Sequence, residues 1–74
     1  MIAAWGVVVE KGESLEARAM EARRQFEARV GMPAAVLLVH PSSQAPEVVA
    51  GLAVKRSALC HAPGVILAGA EVEG

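Results

Sequence analysis

Three stretches of this chain are apolar at every position, and they limit its fold more than any other feature. They span residues 7–9, 34–39 and 65–68. A strand with one face in water carries polar residues at every second position, and these runs carry none. Each run is also far shorter than the roughly 18 apolar residues that a membrane-spanning helix needs. The runs therefore predict strands covered on both faces, in a protein without a membrane segment.

One amphipathic helix is predicted over Leu15–Val30, because apolar residues recur there at spacings of three or four. This apolar stripe consists of Leu15, Ala19, Ala22, Phe26 and Val30. Ser14 is placed to cap the start of the helix, and Gly31 to end it. We expect Leu15, Phe26 and Gly31 to be structural residues, with Phe26 as the anchor of the stripe.

Further elements follow from the same patterns. We predict strands over residues 2–9, 34–40, Leu52–Arg56 and 65–70, one helical turn over 46–50, and a polar tail over 71–74. A strand, a long helix and a second strand within about 40 residues indicate a βαβ unit, whose two strands are parallel. The predicted fold is a two-layer α/β (α+β) domain over residues 1–74, with one long helix packed on a small mixed sheet of three to four strands.

The sequence contains no Asp, Asn, Thr or Tyr. It therefore lacks the Asp of Ser-His-Asp triads and of Ca²⁺-binding loops, and we expect neither catalytic residues, nor cofactors, nor enzymatic activity. It also lacks the Asn-Gly and Asp-Gly pairs that favour tight hairpins. Scarce amides and abundant Ala, Val, Arg and Glu are typical of GC-rich genomes and compatible with a thermophilic source.

Cys60 is the only cysteine, so no disulfide forms within the chain. The adjacent Cys60 and His61, joined by His40, would offer thiolate and imidazole ligands to zinc, or a thiol nucleophile with a base. Adjacent Cys and His are not a metal-binding spacing, and a lone cysteine is commonly a small buried hydrophobic residue. We expect Cys60 to be structural, no metal site, and a cytoplasmic protein without a secretory signal.

A candidate ligand site consists of His40, Ser42 and Ser43, at the end of the second predicted strand. Ligands of open α/β sheets bind at the carboxyl ends of strands, and hydroxyl groups near a helix start bind anions. The alternative is an ordinary solvated loop.

A basic surface patch is the other candidate, formed by Lys55 and Arg56 with Arg23, Arg24 and Arg29. Glutamates balance the helix arginines, and the formal net charge of the chain is −1. Only Trp5 and Phe26 are aromatic, and Phe26 is assigned to the core. We therefore expect no nucleic-acid partner.

One helix covers only one face of a sheet, so the opposite face is predicted to be apolar and in need of a cover. A second copy is the simplest cover, since two-fold dimers are the commonest assembly. The rival cover is the segment 57–63 folded across that face. The predicted function is a non-enzymatic interaction or assembly module, acting as a homo-oligomer or as the partner subunit of another chain. The alternative function is a small regulatory protein that binds an anionic ligand or nucleic acid near residues 40–43.

Overall fold

The computed structural model describes residues 2–71 and contains one helix and five strands. In chain order these are β1 (Ile2–Val8), α1 (Leu15–Val30), β2 (Val36–Val39), β3 (Val48–Val49), β4 (Leu52–Arg56) and β5 (Val65–Glu71). The bounds of α1 and β4 agree with the prediction, whereas β2 is shorter than the predicted strand. The predicted polar tail begins inside β5, and residues 72–74 lie outside the described part of the chain.

The five strands form one mixed sheet in the order β1-β5-β2-β4-β3. Strand β5 runs antiparallel to both β1 and β2, so β1 and β2 are parallel to each other, as predicted. They are not neighbours, however, because β5 lies between them. Strand β4 pairs in parallel with β2, and β3 pairs antiparallel with β4. The predicted α+β architecture is confirmed, with five strands instead of three to four.

Helix α1 packs on one face of the sheet, where its contacts are mainly with β1 and β5. The Ser14 hydroxyl accepts a hydrogen bond from the backbone N–H of Ala17, and Gly31 adopts a left-handed conformation at φ 79°. Phe26, Ala19 and Ala22 are fully buried against the sheet. Val30 is 41% exposed, so its assignment to the buried stripe was wrong. Val30 is the last residue of α1, and beyond the left-handed Gly31 it is Met32 that packs against the core.

Three contacts connect the edge strand β1 to the helix: two hydrogen bonds and one cation–π contact. The indole N–H of Trp5 donates to Gln25 Oε1 at 2.6 Å, and the Arg29 guanidinium lies 4.5 Å from the Trp5 ring centroid. Near the end of β1, Arg18 Nε donates to the carbonyl oxygen of Val8. The contacts of Trp5 with Gln25 and Arg29 place its side chain on the helix-covered face.

The helical turn predicted over residues 46–50 does not form. Val48 and Val49 pair with β4 instead, and Ala50 and Gly51 form a tight hairpin turn with φ values of 53° and 76°. Positive φ at both turn residues matches the twist of a hairpin, although Ala rarely adopts it. Arg23 Nη1 donates to the carbonyl oxygen of Ala50 at 3.0 Å, so a contact from α1 helps to hold this turn.

Helix α1 has 16 residues and a charged outer side, and it is too short and too polar to cross a membrane. Residues 2–71 contain no other helix.

Candidate functional site

The sheet surface turned away from α1 is termed the open face. Strand alternation and register assign its members, because residues directly opposite each other on paired strands share a face. A β-carbon built on Gly69 would lie beside Ile2 and Ala4, and one on Gly6 would lie against Leu67, which confirms the assignment. The apolar members of the open face are Ile2, Ala4, Gly6, Val8, Val36, Leu38, Val48, Ala53, Val65, Leu67 and Gly69.

Much of this apolar surface is accessible to water. Val8 is 55% exposed and Val48 is 63% exposed, at the two edges of the sheet. Val36, Val65 and Leu67 are half-buried between them. None of these residues belongs to the hydrophobic core beneath α1. The open face is therefore a broad apolar surface that α1 leaves uncovered.

The segment 57–63, considered from the sequence as the rival cover, leaves both edges of this face open. Ser57 donates its N–H to the carbonyl oxygen of Val39, so the segment begins beside the end of β2. Leu38 on the open face and Cys60 in this segment are both buried, yet neither belongs to the core beneath α1. The exposure of Val8 and Val48 shows that the segment does not span the face.

Only two strand positions of the open face are charged, Lys55 on β4 and Glu71 at the end of β5. Both residues are exposed. Lys55 lies opposite Leu38, toward the end of the sheet where β2 and β4 finish, and Glu71 lies opposite Ile2 at the other end. The face thus carries one charge of each sign at opposite ends of an apolar surface.

The candidate ligand residues His40, Ser42 and Ser43 meet in the loop that follows β2. Ser42 Oγ lies 2.7 Å from His40 Nδ1, and the backbone N–H of Ser42 donates to the same nitrogen. The N–H of Ser43 donates to the carbonyl oxygen of His40. These hydrogen bonds close the loop on itself and engage the backbone donors that an anion would use.

Sequence reasoning missed one neighbour of this loop, Arg56. Its Nε donates to the carbonyl oxygen of Ser43 at 3.1 Å, which brings a guanidinium beside the candidate residues. Positions 43 and 56 come together because β2 and β4 pair in parallel and end side by side. The contact between Arg56 and Ser43 would have been predictable if the parallel pairing of β2 and β4 had been known. No local sequence pattern predicts that pairing.

Cys60 and His61 differ in environment. Cys60 is 2% exposed and His61 is on the surface. Burial raises the pKa of the Cys60 thiol, which disfavours the reactive thiolate. Within residues 2–71, no three His, Cys or Glu side chains gather closely enough to hold a metal ion.

The candidate basic patch is not a continuous surface. Arg23 pairs with Glu27, Arg24 pairs with Glu21, and Arg29 lies over Trp5. Hydrogen bonds from Arg24 and Gln25 lower the pKa of Glu21 and keep it ionised. Lys55 projects from the open face, which α1 does not cover. The four arginines therefore make separate local contacts, and Lys55 lies on the other face of the sheet from α1.

An open groove of about 660 Å³ lies between the outer side of α1 and the Ala50–Gly51 turn. Met20 lines it and is 58% exposed. The two arginines on its wall, Arg23 and Arg24, are each paired with a glutamate. Both arginines that line the groove are therefore already engaged by a carboxylate and are less available to a ligand.

Comparison with protein-family models, with curated proteins and with solved structures finds no match for this chain.

Proposed function

We propose that this domain is a non-enzymatic assembly module that associates with a second copy of itself through the open face. The observation that carries the proposal is the exposure of two apolar side chains at opposite edges of this largely apolar sheet surface. Val8 is 55% exposed and Val48 is 63% exposed. Soluble monomers rarely expose continuous apolar patches larger than a few hundred Å². A partner that covers this face removes that surface from water.

The size of the face supports a dimer of moderate affinity. Five strands of these lengths cover roughly 400 Å², taking about 4.8 Å between strands and 3.3 Å per residue. Two copies then bury about 800 Å² in total, without counting the extra area of protruding side chains. This value approaches the roughly 1,000 Å² of the smaller specific interfaces. We therefore expect a dissociation constant in the micromolar range.

A second copy is favoured over a different protein because the face is suited to itself. Its exposed surface is mainly apolar, and the same patch on a second copy offers the same apolar contacts, as a closed two-fold interface requires. Association also stabilises a chain of 74 residues that has a small core and no disulfide.

Sedimentation equilibrium over about 1 to 500 µM tests the proposal directly, since this range brackets the expected dissociation constant. The wild-type chain is expected to dimerise, and the variant Val8→Lys/Val48→Lys to remain monomeric. Met20→Lys is the matched control, because Met20 is equally exposed but lies on α1. A wild-type monomer whose melting temperature does not depend on concentration would overturn the proposal.

The second candidate function is the binding of an anionic ligand at residues 40–43, and the position of Arg56 favours it. The guanidinium of Arg56 beside Ser43 supplies the positive charge that the loop itself lacks. Titration with inorganic phosphate, followed through the His40 ring signals by NMR, tests this function. Saturable shifts that Arg56→Gln abolishes would support it, and the absence of shifts at millimolar phosphate would reject it.

A further inference from the structure

We infer that β1 pairs along its outer edge with β1 of a second copy, antiparallel and centred on Ala4, so that two sheets join into one. This interface is separate from the open face and goes beyond the proposed function. The paired copies are related by a two-fold axis perpendicular to the sheet. Both open faces therefore lie on the same side of the joined sheet and keep their own contacts.

Strand β1 is an edge strand without the usual protection against pairing. It lies at one end of the strand order, and within residues 2–71 no strand pairs with its outer edge. Its seven residues include no charged residue and no Pro, and they pair with β5 one to one, without a bulge. Natural edge strands are usually short or carry such a device, because an exposed edge is a template for another strand. The strand at the opposite edge, β3, has only two residues.

The hydrogen bonds to β5 show which backbone groups of β1 face outward. In the register of β1 and β5, Val9 lies opposite Gly64, and its N–H donates to the Gly64 carbonyl oxygen. Because hydrogen-bonded positions alternate in an antiparallel pair, the odd-numbered residues of β1 bond to β5. A β-carbon built on Gly69 of β5 would crowd the Ala3 carbonyl oxygen, which agrees with this assignment.

The outward N–H and C=O groups therefore belong to the even-numbered residues Ile2, Ala4, Gly6 and Val8. Ala4 and Gly6 are exposed. The Val8 carbonyl oxygen is already engaged, because Arg18 Nε donates to it at 3.2 Å. The Arg18 side chain thus occupies the edge beside Val8, and the stretch that is open to another strand ends at Gly6.

Pairing centred on Ala4 matches this open stretch. It places Ala4 opposite Ala4 of the second copy, and Ile2 opposite Gly6. Each outward N–H of these three residues then meets an outward carbonyl oxygen of the other strand. The same register places Trp5 opposite Ala3, a large side chain beside a small one. The strand thus complements itself in backbone groups and in side-chain size, which favours a second copy over an unrelated extended segment.

The competing symmetric registers are centred on Trp5 and on Gly6. Both use the Val8 carbonyl oxygen as an acceptor, so the incoming strand has to displace Arg18. The register centred on Trp5 also sets two indole rings directly opposite each other. Arg18 therefore selects the register centred on Ala4.

Edge pairing is expected to be weak, with a dissociation constant in the millimolar range. It joins backbone groups and buries little apolar surface, and an isolated two-stranded pairing is only marginally stable in water. Association through the open face is expected at micromolar concentration. The two processes therefore separate along a concentration series.

A dilution series of the wild-type chain from about 3 mM to 0.02 mM, followed by amide NMR spectroscopy, tests the inference. The amide protons of Ala4 and Gly6 are expected to shift downfield together in the millimolar range, because their N–H groups gain acceptors. The Val8 amide faces outward as well but lies beyond the paired stretch. It is the internal control and is expected to stay unchanged over the same range.

Ala4→Pro removes the central outward N–H, and proline is tolerated in an edge strand where its nitrogen faces solvent. It is expected to abolish the millimolar shift of the Gly6 amide. Val8→Pro is the matched control, because it removes an outward N–H of the same strand that the pairing does not use, and the Gly6 shift is expected to persist. If Ala4→Pro does not fold, the comparison of Gly6 with Val8 in the wild type still decides.

The outcomes separate the inference from the proposed function. Amides of Ala4 and Gly6 that stay unchanged up to 3 mM would overturn edge pairing, and an equal shift at Val8 would overturn the register. Neither result bears on the open face, whose association is measured by sedimentation at micromolar concentration. A wild type that shows only the millimolar shifts, without micromolar association, would overturn the proposed function and support the inference.

Discussion

Gly69 of β5 approaches the backbone of Ala3 so closely that a β-carbon at Gly69 would lie 2.6 Å from the Ala3 carbonyl oxygen. Gly6 is equally crowded, but the atom that a β-carbon would meet there, at 2.5 Å, is the terminal Cδ2 of Leu67. A side-chain tip can rotate away, whereas a paired backbone moves only with its strand. The two glycines thus have different reasons for lacking a side chain.

Gly69→Ala is expected to destabilise the domain by about 1–3 kcal/mol, the usual cost of overpacking, because β1 must shift. Gly6→Ala is expected to change stability by less than about 1 kcal/mol, because Leu67 adopts another rotamer and Ala suits a strand better than Gly. Urea denaturation of both variants provides the measurement. Equal losses from the two substitutions would show that the close approach at Ala3 does not govern the cost.

Phe26 is the largest side chain that is fully buried beneath α1. Phe26→Ala is expected to cost about 3–5 kcal/mol through loss of contacts and cavity formation. That is most of the stability of a domain of this size. Met20→Ala on the exposed side of the same helix is the control, with an expected effect within about 0.5 kcal/mol. An unchanged melting temperature for Phe26→Ala would mean that the helix phase is wrong.

The helix and most strands were predictable because their signals are local. The cap Ser14, the terminal Gly31 and the apolar spacing define α1 to the residue. The absence of polar residues at every second position of residues 7–9, 34–39 and 65–68 correctly implied a largely apolar sheet face opposite α1. The position of β5 between β1 and β2 was not predictable, because sheet order depends on pairing between residues far apart in sequence.

Strand β3 and the surroundings of the candidate ligand loop were missed for related reasons. The turn residue Ala50 carries none of the usual signals for positive φ, and its carbonyl is bound by Arg23, 27 positions away. Arg56 meets Ser43 only because β2 and β4 pair in parallel. Local sequence patterns therefore predicted the helix and most of the strands. The contacts at each candidate site were not predictable from them, because those contacts join residues far apart in the sequence.

The tight turn of the β3–β4 hairpin provides a test of backbone strain. Gly51→Ala forces an L residue to φ 76° and places its β-carbon 3.2 Å from Arg23 Nη1. Gly31→Ala meets a similar φ of 79°, with nothing within 4 Å of the new atom. We expect Gly31→Ala to lower the free energy of unfolding by about 1–2 kcal/mol through the backbone conformation alone, and Gly51→Ala to lower it further. Chemical denaturation compares the two, and an equal loss would mean that Arg23 moves aside without cost.

The contact between Arg29 and Trp5 is expected to contribute roughly 0.5–1 kcal/mol, as a cation–π pair near the surface. A double-mutant cycle of Arg29→Ala with Trp5→Leu isolates this coupling from the hydrogen bond of Trp5 to Gln25. Trp5 is the only tryptophan, so its fluorescence reports on the contact directly. Arg29→Ala is expected to shift the emission and Arg24→Ala to leave it unchanged. A coupling energy near zero would show that the contact of Arg29 with the Trp5 ring does not contribute to stability.

Burial of Cys60 predicts a particular dependence of stability on pH. Desolvation raises the pKa of the folded-state thiol, so the unfolded chain loses this proton at a lower pH than the folded chain does. Stability from this group is therefore fully present below the thiol pKa of the unfolded state, about 8.5, and declines as the pH rises through the folded-state pKa. Above about pH 8.5, the free energy of unfolding of the wild type is expected to fall more steeply with pH than that of Cys60→Ala, because the variant has no thiol to titrate. Comparing the slopes of the two proteins, rather than their absolute stabilities, removes the packing cost of the substitution. Parallel slopes would mean that the thiol is as well solvated in the folded chain as in the unfolded one.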